Sequence, residues 1–309
     1  MSVVDAVVLQ GTGGVYQVRT GAGELLDASM RGRLKQDGQI KLAVGDDVGI
    51  ERDDRDGAWA ITEIRPRRST LSRKTPGRAR GERVVAANVD QVVVVFAAAK
   101  PEPHVRMIDR FLVIAEGNDI AACLVINKVD LVGGAAGAAD LAAEYERAGY
   151  PVFRTSVKDQ TGLRALHDTL AGRTSALTGP SGVGKSSLLN ALFPGLDLRT
   201  GEISESVNKG RHTTVGARLI PVPDRLGGFV VDTPGLREVG MWGLSPEHLD
   251  QCFPEFKVLI GACKFADCGH DHEPGCAVRQ RVEAGTISRA RWESYLKLRG
   301  ELRDLERAW

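Results

Sequence analysis

Gly179-Pro180-Ser181-Gly182-Val183-Gly184-Lys185-Ser186 fits the pattern G-x-x-x-x-G-K-[ST]. It follows the β run Ser175 to Thr178 and opens the helical pattern Lys185 to Phe193. Such a loop works only at a strand-to-helix turn, where backbone N–H groups converge on phosphate oxygens at the positive end of the helix. Lys185 would reach the β and γ oxygens and the Ser186 hydroxyl would bind Mg²⁺, with Thr178 before the loop and Ser187 after it completing the contacts. The motif therefore commits the middle of the chain to a sheet whose strands alternate with helices.

The flanking sequence meets that demand. Strands are predicted at Gln91 to Phe96, Ala121 to Ile126, Val152 to Arg154, Ser175 to Thr178, Ala217 to Pro221 and Phe229 to Val231. Helices are predicted at Val105 to Ala115, Ala138 to Ala148, Leu163 to Leu170 and Lys185 to Phe193. The strands are continuous apolar runs, which predicts a largely parallel sheet covered on both faces.

Three further motifs stand at the ends of these strands. Asn127-Lys128-Val129-Asp130 matches N-K-x-D, the pattern that reads guanine. Asp130 would accept from N1–H and the exocyclic amine, a pair adenine does not offer, so the wrong base would leave a buried carboxylate unpaired. Thr155-Ser156-Val157-Lys158 follows the strand Val152 to Arg154, and the N–H groups of Ser156 and Val157 would meet the guanine carbonyl. Asp232-Thr233-Pro234-Gly235 ends the strand Phe229 to Val231, placing Asp232 as a Mg²⁺-directing carboxylate and Gly235 as a γ-phosphate contact. The base is thus GTP's, and the guanine-reading pair precedes the phosphate loop where GTPases usually carry it last. Cutting the ordinary fold after its D-x-x-G element and joining the old ends through Ala171 to Thr174 reproduces this order, a circular permutation that chain ends close together at the surface allow.

With 309 residues the chain exceeds one ordinary core, so two or three domains are expected. Residues 1 to 68 read as short β segments, Ala6 to Leu9, Val15 to Arg19, Gly32 to Leu34, Asp47 to Arg52 and Trp59 to Ile64, which predicts a small barrel of OB-fold type. Gly45-Asp46-Asp47-Val48 is the turn into one of these strands. The formal charge is only +1, so any nucleic-acid surface must come from local clustering. Arg65, Arg67, Arg68, Arg73, Lys74, Arg78, Arg80 and Arg83 supply such a cluster, and with Pro66, Pro76, Gly77 and Gly81 among them residues 69 to 88 read as a mobile basic linker suited to phosphates. The permuted GTPase would then occupy 89 to 240 and a C-terminal helical, metal-binding domain 241 to 309.

The longest apolar run, Val92 to Ala99, is far short of the roughly 20 residues of a membrane helix, and the start MSVVDAVVLQ lacks a basic signal region. A cytoplasmic protein with no membrane partner is expected. Four of the five cysteines lie beyond residue 250, which suits metal ligation in a reducing compartment.

The combination of barrel, permuted GTPase and Cys/His tail resembles the ribosome small-subunit-dependent GTPase A family over essentially the whole chain. The motifs N-K-V-D, G-P-S-G-V-G-K-S, G-R-H-T-T and D-T-P-G-L stand here in the order the family has them. The resemblance implies a GTP-hydrolysing bacterial assembly factor, stimulated by the small (30S) ribosomal subunit and binding its rRNA late in maturation. In Gly210-Arg211-His212-Thr213-Thr214, Thr214 is the first candidate and Thr213 the second to close over Mg²⁺ and γ-phosphate. Leu236 stands where many GTPases place a water-orienting glutamine, so His212, which the resemblance also marks, is the candidate catalytic substitute beside Lys185 and Thr214. Cys263, Cys268, His270 and Cys276 form a Cys3His set suited to one closed structural Zn²⁺ site, with the family's spacing and with His272 as a competitor for His270. Cys123 and Cys252 read as packing residues. Trp292, Tyr295, Leu298, Leu302, Leu305 and Trp309 mark an amphipathic helix, expected to serve core packing, with a ribosome contact as the alternative.

Two other classes of function compete with the GTPase. Leu236 suggests a nucleotide-gated RNA-binding protein with negligible turnover, and the phosphate loop alone would suit an ATP-dependent enzyme, which N-K-x-D opposes. A monomer binding GTP or GDP is expected.

Overall fold

The computed structural model describes residues 3–31, 41–53, 57–74, 82–198, 217–232 and 244–307. Strands β1 (Val4–Thr12), β2 (Val15–Thr20), β3 (Leu25–Met30), β4 (Asp47–Arg52) and β5 (Trp59–Ile64) close into a barrel in the order β1-β2-β3-β5-β4. β3 pairs with β5 in parallel and the other barrel pairs are antiparallel. This is the OB-type barrel expected. Its third strand is Leu25–Met30, which sequence patterning misses because only Ala28 of that segment is fully buried. The strand expected at Gly32 to Leu34 lies outside the described residues.

The stretch expected to be a mobile basic linker is partly a hairpin. β6 (Thr70–Lys74) pairs antiparallel with β7 (Glu82–Ala87), while residues 75–81, including Arg78 and Arg80, lie outside the described residues. Leu71 and Ala86 are wholly buried in the main core, an apolar contribution that the surrounding charges hide. Three of the basic residues are also committed to carboxylates. Arg67 grips Asp46 at 2.6 and 2.9 Å, Arg68 meets Asp90 at 2.8 Å, and Arg65 meets Asp5 and Glu63. Asp46 is fully buried, so the Arg67 pair is structural, whereas Arg65 and Arg68 remain exposed in pairs of small energetic value.

The end of this hairpin is fastened to the barrel. Ala87 N–H donates to the Val44 carbonyl, and Asn88 Nδ2 donates to the Gly45 carbonyl and to Asp47. Gly45 has φ 88°, and a Cβ there would sit 2.2 Å from the Ala87 carbonyl oxygen, so only glycine permits this approach.

The central sheet has the order β10-β9-β8-β11-β13-β12, with β8 (Gln91–Ala97), β9 (Ala121–Asn127), β10 (Val152–Arg154), β11 (Thr174–Thr178), β12 (Arg218–Pro221) and β13 (Phe229–Asp232). All neighbours are parallel except the β12–β13 pair at the edge. Alternate residues of β8 feed opposite faces: Val92, Val94 and Phe96 enter one core, Val93, Val95 and Ala97 the other. The first face is covered by α1 (Val105–Glu116) and α2 (Ala139–Arg147), and the second by α3 (Leu163–Leu170) and α4 (Lys185–Leu192). Burial on both faces is why these strands lack polar alternation.

Beyond the sheet, a 3-10 turn (Leu249–Cys252), the short α5 (Pro254–Lys257), α6 (Ala277–Glu283) and the long α7 (Arg289–Arg307) pack on the α1 side, continuous with the first core. Tyr295, Leu298 and Leu302 are buried as the periodicity requires, Leu305 is 36% exposed, and Trp309 lies outside the described residues. No described helix is long and apolar enough to cross a membrane.

Candidate nucleotide-binding site and metal centre

Parallel strands deliver the motifs to one edge of the sheet. Asn127 ends β9, Thr155 follows β10, Gly179 follows β11 and Asp232 ends β13, all at carboxyl ends, where ligands of open α/β sheets bind. In register Ala176 faces Val231, so Asp232 lies level with Leu177, two residues short of Gly179.

The phosphate loop is shaped by glycines with no alternative. Gly179 has φ 138°, and a Cβ on it would meet the Val95 carbonyl oxygen at 2.0 Å. Gly182 and Gly184 also have positive φ, and Gly184 directly precedes α4. Positive φ between right-handed residues turns successive N–H groups inward, the geometry of an anion nest. Thr178, Gly179, Lys185 and Ser186 are buried, Pro180 and Ser187 partly so, Ser181 and Gly182 exposed, and Val183 anchors the loop in the second core. Lys185 Nζ donates to the loop's own carbonyls, Gly179 at 2.9 Å and Pro180 at 2.8 Å, which folds its charge over the nest.

The guanine-type motif is stitched to this loop. Asn127 is 2% exposed; its Nδ2 donates to the Val183 carbonyl at 2.9 Å and its Oδ1 accepts from Thr155 Oγ1 at 3.0 Å. Lys128, at φ 60°, donates from Nζ to the carbonyls of Gly182 at 2.5 Å and Lys100 at 2.7 Å. Val129 is buried and donates its N–H to the Thr155 carbonyl. Asp130 Oδ1 accepts from Ser156 Oγ at 2.8 Å, and that hydroxyl in turn accepts from Asp159 N–H. Val157 follows, partly buried against the second core. Gly162 (φ 67°) closes the loop, since a Cβ there would sit 2.2 Å from the Arg154 carbonyl oxygen. The structure thus brings the N-K-x-D and phosphate loops together, and it adds two contacts whose roles the motifs do not give: those of the Thr155 hydroxyl and the Lys100 carbonyl. Neither carries a signal of its own in sequence. His212, Thr213, Thr214, Gly235 and Leu236 lie outside the described residues.

The metal-ligand set is assembled. One ligand atom from each of Cys263, Cys268, His270 and Cys276 lies within 4.8 Å of the others. His270 Nδ1 is 3.6 Å from Cys263 Sγ and 3.5 Å from Cys276 Sγ. Metal bonds of ordinary Zn–S and Zn–N length at the tetrahedral angle give an N···S edge of about 3.6 Å, so the donor set fits a tetrahedral ion. The sulfurs also receive N–H groups, Ala277 to Cys263 at 3.4 Å and Arg279 to Cys276 at 3.5 Å. Burial opposes charge on Cys263, but the Ala277 N–H, the neighbouring thiols and His270 outweigh it and bring its pKa below the ordinary thiol value. Glu273, unforeseen in the sequence, accepts from Gly269, Asp271 and His272 N–H. Burial works against its charge, yet backbone donors hold the carboxyl down at about 2. His272 points away, with its side chain 85% exposed, so His270 is the imidazole of the set. Cys123 and Cys252 are buried outside the cluster, and burial pushes both thiols up to about 12, as suits packing residues.

Comparison with known proteins agrees with this architecture. Residues 64–242 match the RsgA GTPase family and residues 7–59 match the RsgA N-terminal domain. A small ribosomal subunit biogenesis GTPase RsgA of Gemmatimonas aurantiaca is 62% identical over 299 residues, 96% of each chain. That of Azotobacter vinelandii is 42% identical, over 92% of this chain and 80% of its own. Among solved structures, YjeQ from Thermotoga maritima superposes with a TM-score of 0.81 at 34% identity, covering 97% of this chain and 99% of its own. YloQ, described as a circularly permuted GTPase, gives 0.76 at 30% identity, covering 98% and 96%. With the family match spanning more than half of its length and the Gemmatimonas aurantiaca relative 62% identical over 96% of each chain, the chain belongs to the RsgA GTPase family.

Proposed function

We propose that this chain hydrolyses GTP to GDP and phosphate in step with its binding to the small ribosomal subunit during that subunit's biogenesis. The observation that carries the reading is the stitching of a guanine-type loop to a phosphate nest, Asn127 to Val183 and Lys128 to Gly182, which sets base and phosphates at a fixed separation. Asp130, oriented by Ser156, selects guanine, and the N–H groups of Ser156 and Val157 complete the base site. Residues 178–187 hold the phosphates, and Lys185 neutralises charge developing on the transferred group. Ser186 and Asp232, with Thr214, would hold Mg²⁺, which would offset the negative charge of the phosphates. Gly235 meets the γ-phosphate and His212 orients the attacking water. The Cys3His set takes Zn²⁺ as a structural ion, since three thiolates and an imidazole suit it better than harder cations.

The remaining assignments follow the same division of the chain: barrel 1–68, connection 69–88, GTPase 89–240 and zinc-binding module 241–309. The barrel contacts rRNA, as OB barrels bind oligonucleotides, and exposed Arg65 and Arg68 lie beside it. The protein works as a cytoplasmic monomer. The family is one of GTPases, so a binder with negligible turnover is not favoured.

Purified small subunits are expected to raise the GTP hydrolysis rate by about tenfold or more, equal to about 1.4 kcal/mol off the barrier. A steady-state phosphate-release assay with and without subunits checks this, and an unchanged rate would overturn the proposal. Asp130→Asn is expected to weaken GTP binding about 10- to 100-fold, from about 1.5–3 kcal/mol for a hydrogen bond to a charged group. The amide can donate to the exocyclic carbonyl of xanthine, so xanthosine triphosphate should gain affinity in the same titration. Equal GTP affinity in variant and wild type would remove Asp130 from base selection.

A further inference from the structure

His270 divides its two ring nitrogens between two tasks. Nδ1 faces the Cys263 and Cys276 sulfurs, whereas Nε2 lies 3.3 Å from Asp250 Oδ2. A neutral imidazole has one N–H and one lone pair. A carboxylate accepting from Nε2–H therefore leaves the Nδ1 lone pair facing the sulfurs, where the metal would sit. Without an acceptor at Nε2, the tautomer protonated at Nδ1 would turn a hydrogen toward the ion's place.

Asp250 is not an incidental surface acid. Its side chain is 17% exposed, its Oδ1 is buried with no hydrogen-bond partner among the described residues, and the hydrogen bond its Oδ2 makes is to His270. Three thiolates around a divalent ion carry net negative charge, so a carboxylate this close would be repelled unless an imidazole N–H stood between them. The turn that carries it, Leu249–Cys252, buries Leu249 and Cys252 in the core shared with α1 of the nucleotide domain. The backbone of the His270 loop is held as well, since Trp292 Nε1 of α7 donates to the His270 carbonyl at 2.7 Å.

We infer that Asp250 is a positioning residue for the metal centre, fixing His270 as an Nδ1 ligand from a turn rooted in the GTPase core. This rests on the reading of the Cys3His set as a zinc site. The test uses the full chain as wild type, Asp250→Asn and Asp250→Ala, with Zn²⁺ affinity read by competition with a chromophoric chelator. Wild type is expected to hold about one Zn²⁺ per chain. Asp250→Ala should lose about 10- to 100-fold in affinity, the usual cost of an outer-shell partner. Asp250→Asn should recover part of that, because its amide oxygen accepts the same hydrogen bond without the charge. Unfolding midpoints of metal-free and zinc-loaded protein complete the test, with the variants expected to differ from wild type chiefly when loaded. Wild type without stoichiometric zinc would defeat the metal reading itself. Zinc held by Asp250→Ala as tightly as by wild type would overturn the role of Asp250, as would equal destabilisation of metal-free and loaded variants.

Discussion

Lys185→Ala is expected to lower single-turnover GTP hydrolysis about 10²- to 10³-fold, the usual cost of removing one preorganised electrostatic donor from an active site. Lys185 is 6% exposed, and its ammonium is already drawn over the loop by the carbonyls of Gly179 and Pro180. Little reorganisation is needed for such a charge to meet phosphate oxygens, which is why its removal should fall mainly on the transition state rather than on folding. GTP affinity should fall less than turnover, because the loop's N–H groups and the base contacts remain. Lys185→Arg keeps the charge but brings a planar fork where the structure holds a compact ammonium, so it should recover only part of the rate. Hydrolysis at saturating GTP, read beside the urea midpoint of each variant, separates the two effects. Near-normal turnover in Lys185→Ala would exclude the phosphate loop from the chemistry.

The parts of this molecule that sequence makes legible are those whose physics is local. The phosphate loop can be read because Gly179, Gly182 and Gly184 supply the positive φ that its turns need, a local demand that the motif itself spells out. The strands β8 and β9 can be read because burial on both faces leaves an unbroken apolar run. Where the decisive partner is distant, sequence misleads. Arg67 looks like part of a phosphate-binding run, yet its charge is matched by Asp46, 21 residues away. The hairpin β6–β7 resembles a linker because its charges outnumber Leu71 and Ala86, whose burial depends on a core built by later strands. Asn127 and Asp130 are legible as a motif, whereas the hydroxyls of Thr155 and Ser156 that orient them are set by how β10 lies beside β9. Arg291 carries no signal at all, since an arginine within a helix reads as exposed until Asp109, 182 residues earlier, folds against it.

That arginine carries the second large expectation: Arg291→Met should destabilise the chain by about 3–5 kcal/mol, the cost of breaking a buried ion pair from one side. Arg291 on α7 is 1% exposed and forms a two-pronged pair with Glu255 of α5, Nε to Oε1 at 2.8 Å and the second nitrogen to Oε2 at 3.0 Å. Its third nitrogen donates to Asp109 of α1 at 2.7 Å, and the ring of Phe253 lies 4.7 Å from the guanidinium carbon. Burial alone would depress the guanidinium pKa, but Glu255 and Asp109 outweigh it and hold the value well above the ordinary one. Asp109 is wholly buried, with Tyr145 as its other donor and Oδ2 without a hydrogen-bond partner among the described residues. Methionine fills similar volume and leaves both carboxylates facing an apolar side chain, so the penalty is electrostatic rather than a cavity. Adding Asp109→Asn and Glu255→Gln to Arg291→Met should therefore return much of the loss, because no uncompensated charge then remains. The node joins helices α1, α5 and α7, so the single variant should release the C-terminal segment from the sheet before the sheet itself unfolds. Urea unfolding followed by the tryptophan fluorescence of the C-terminal segment and by far-ultraviolet dichroism should then show two separated transitions. A single transition at the wild-type midpoint would mean that the packing of Tyr295, Leu298 and Leu302 holds the segment in place without the arginine.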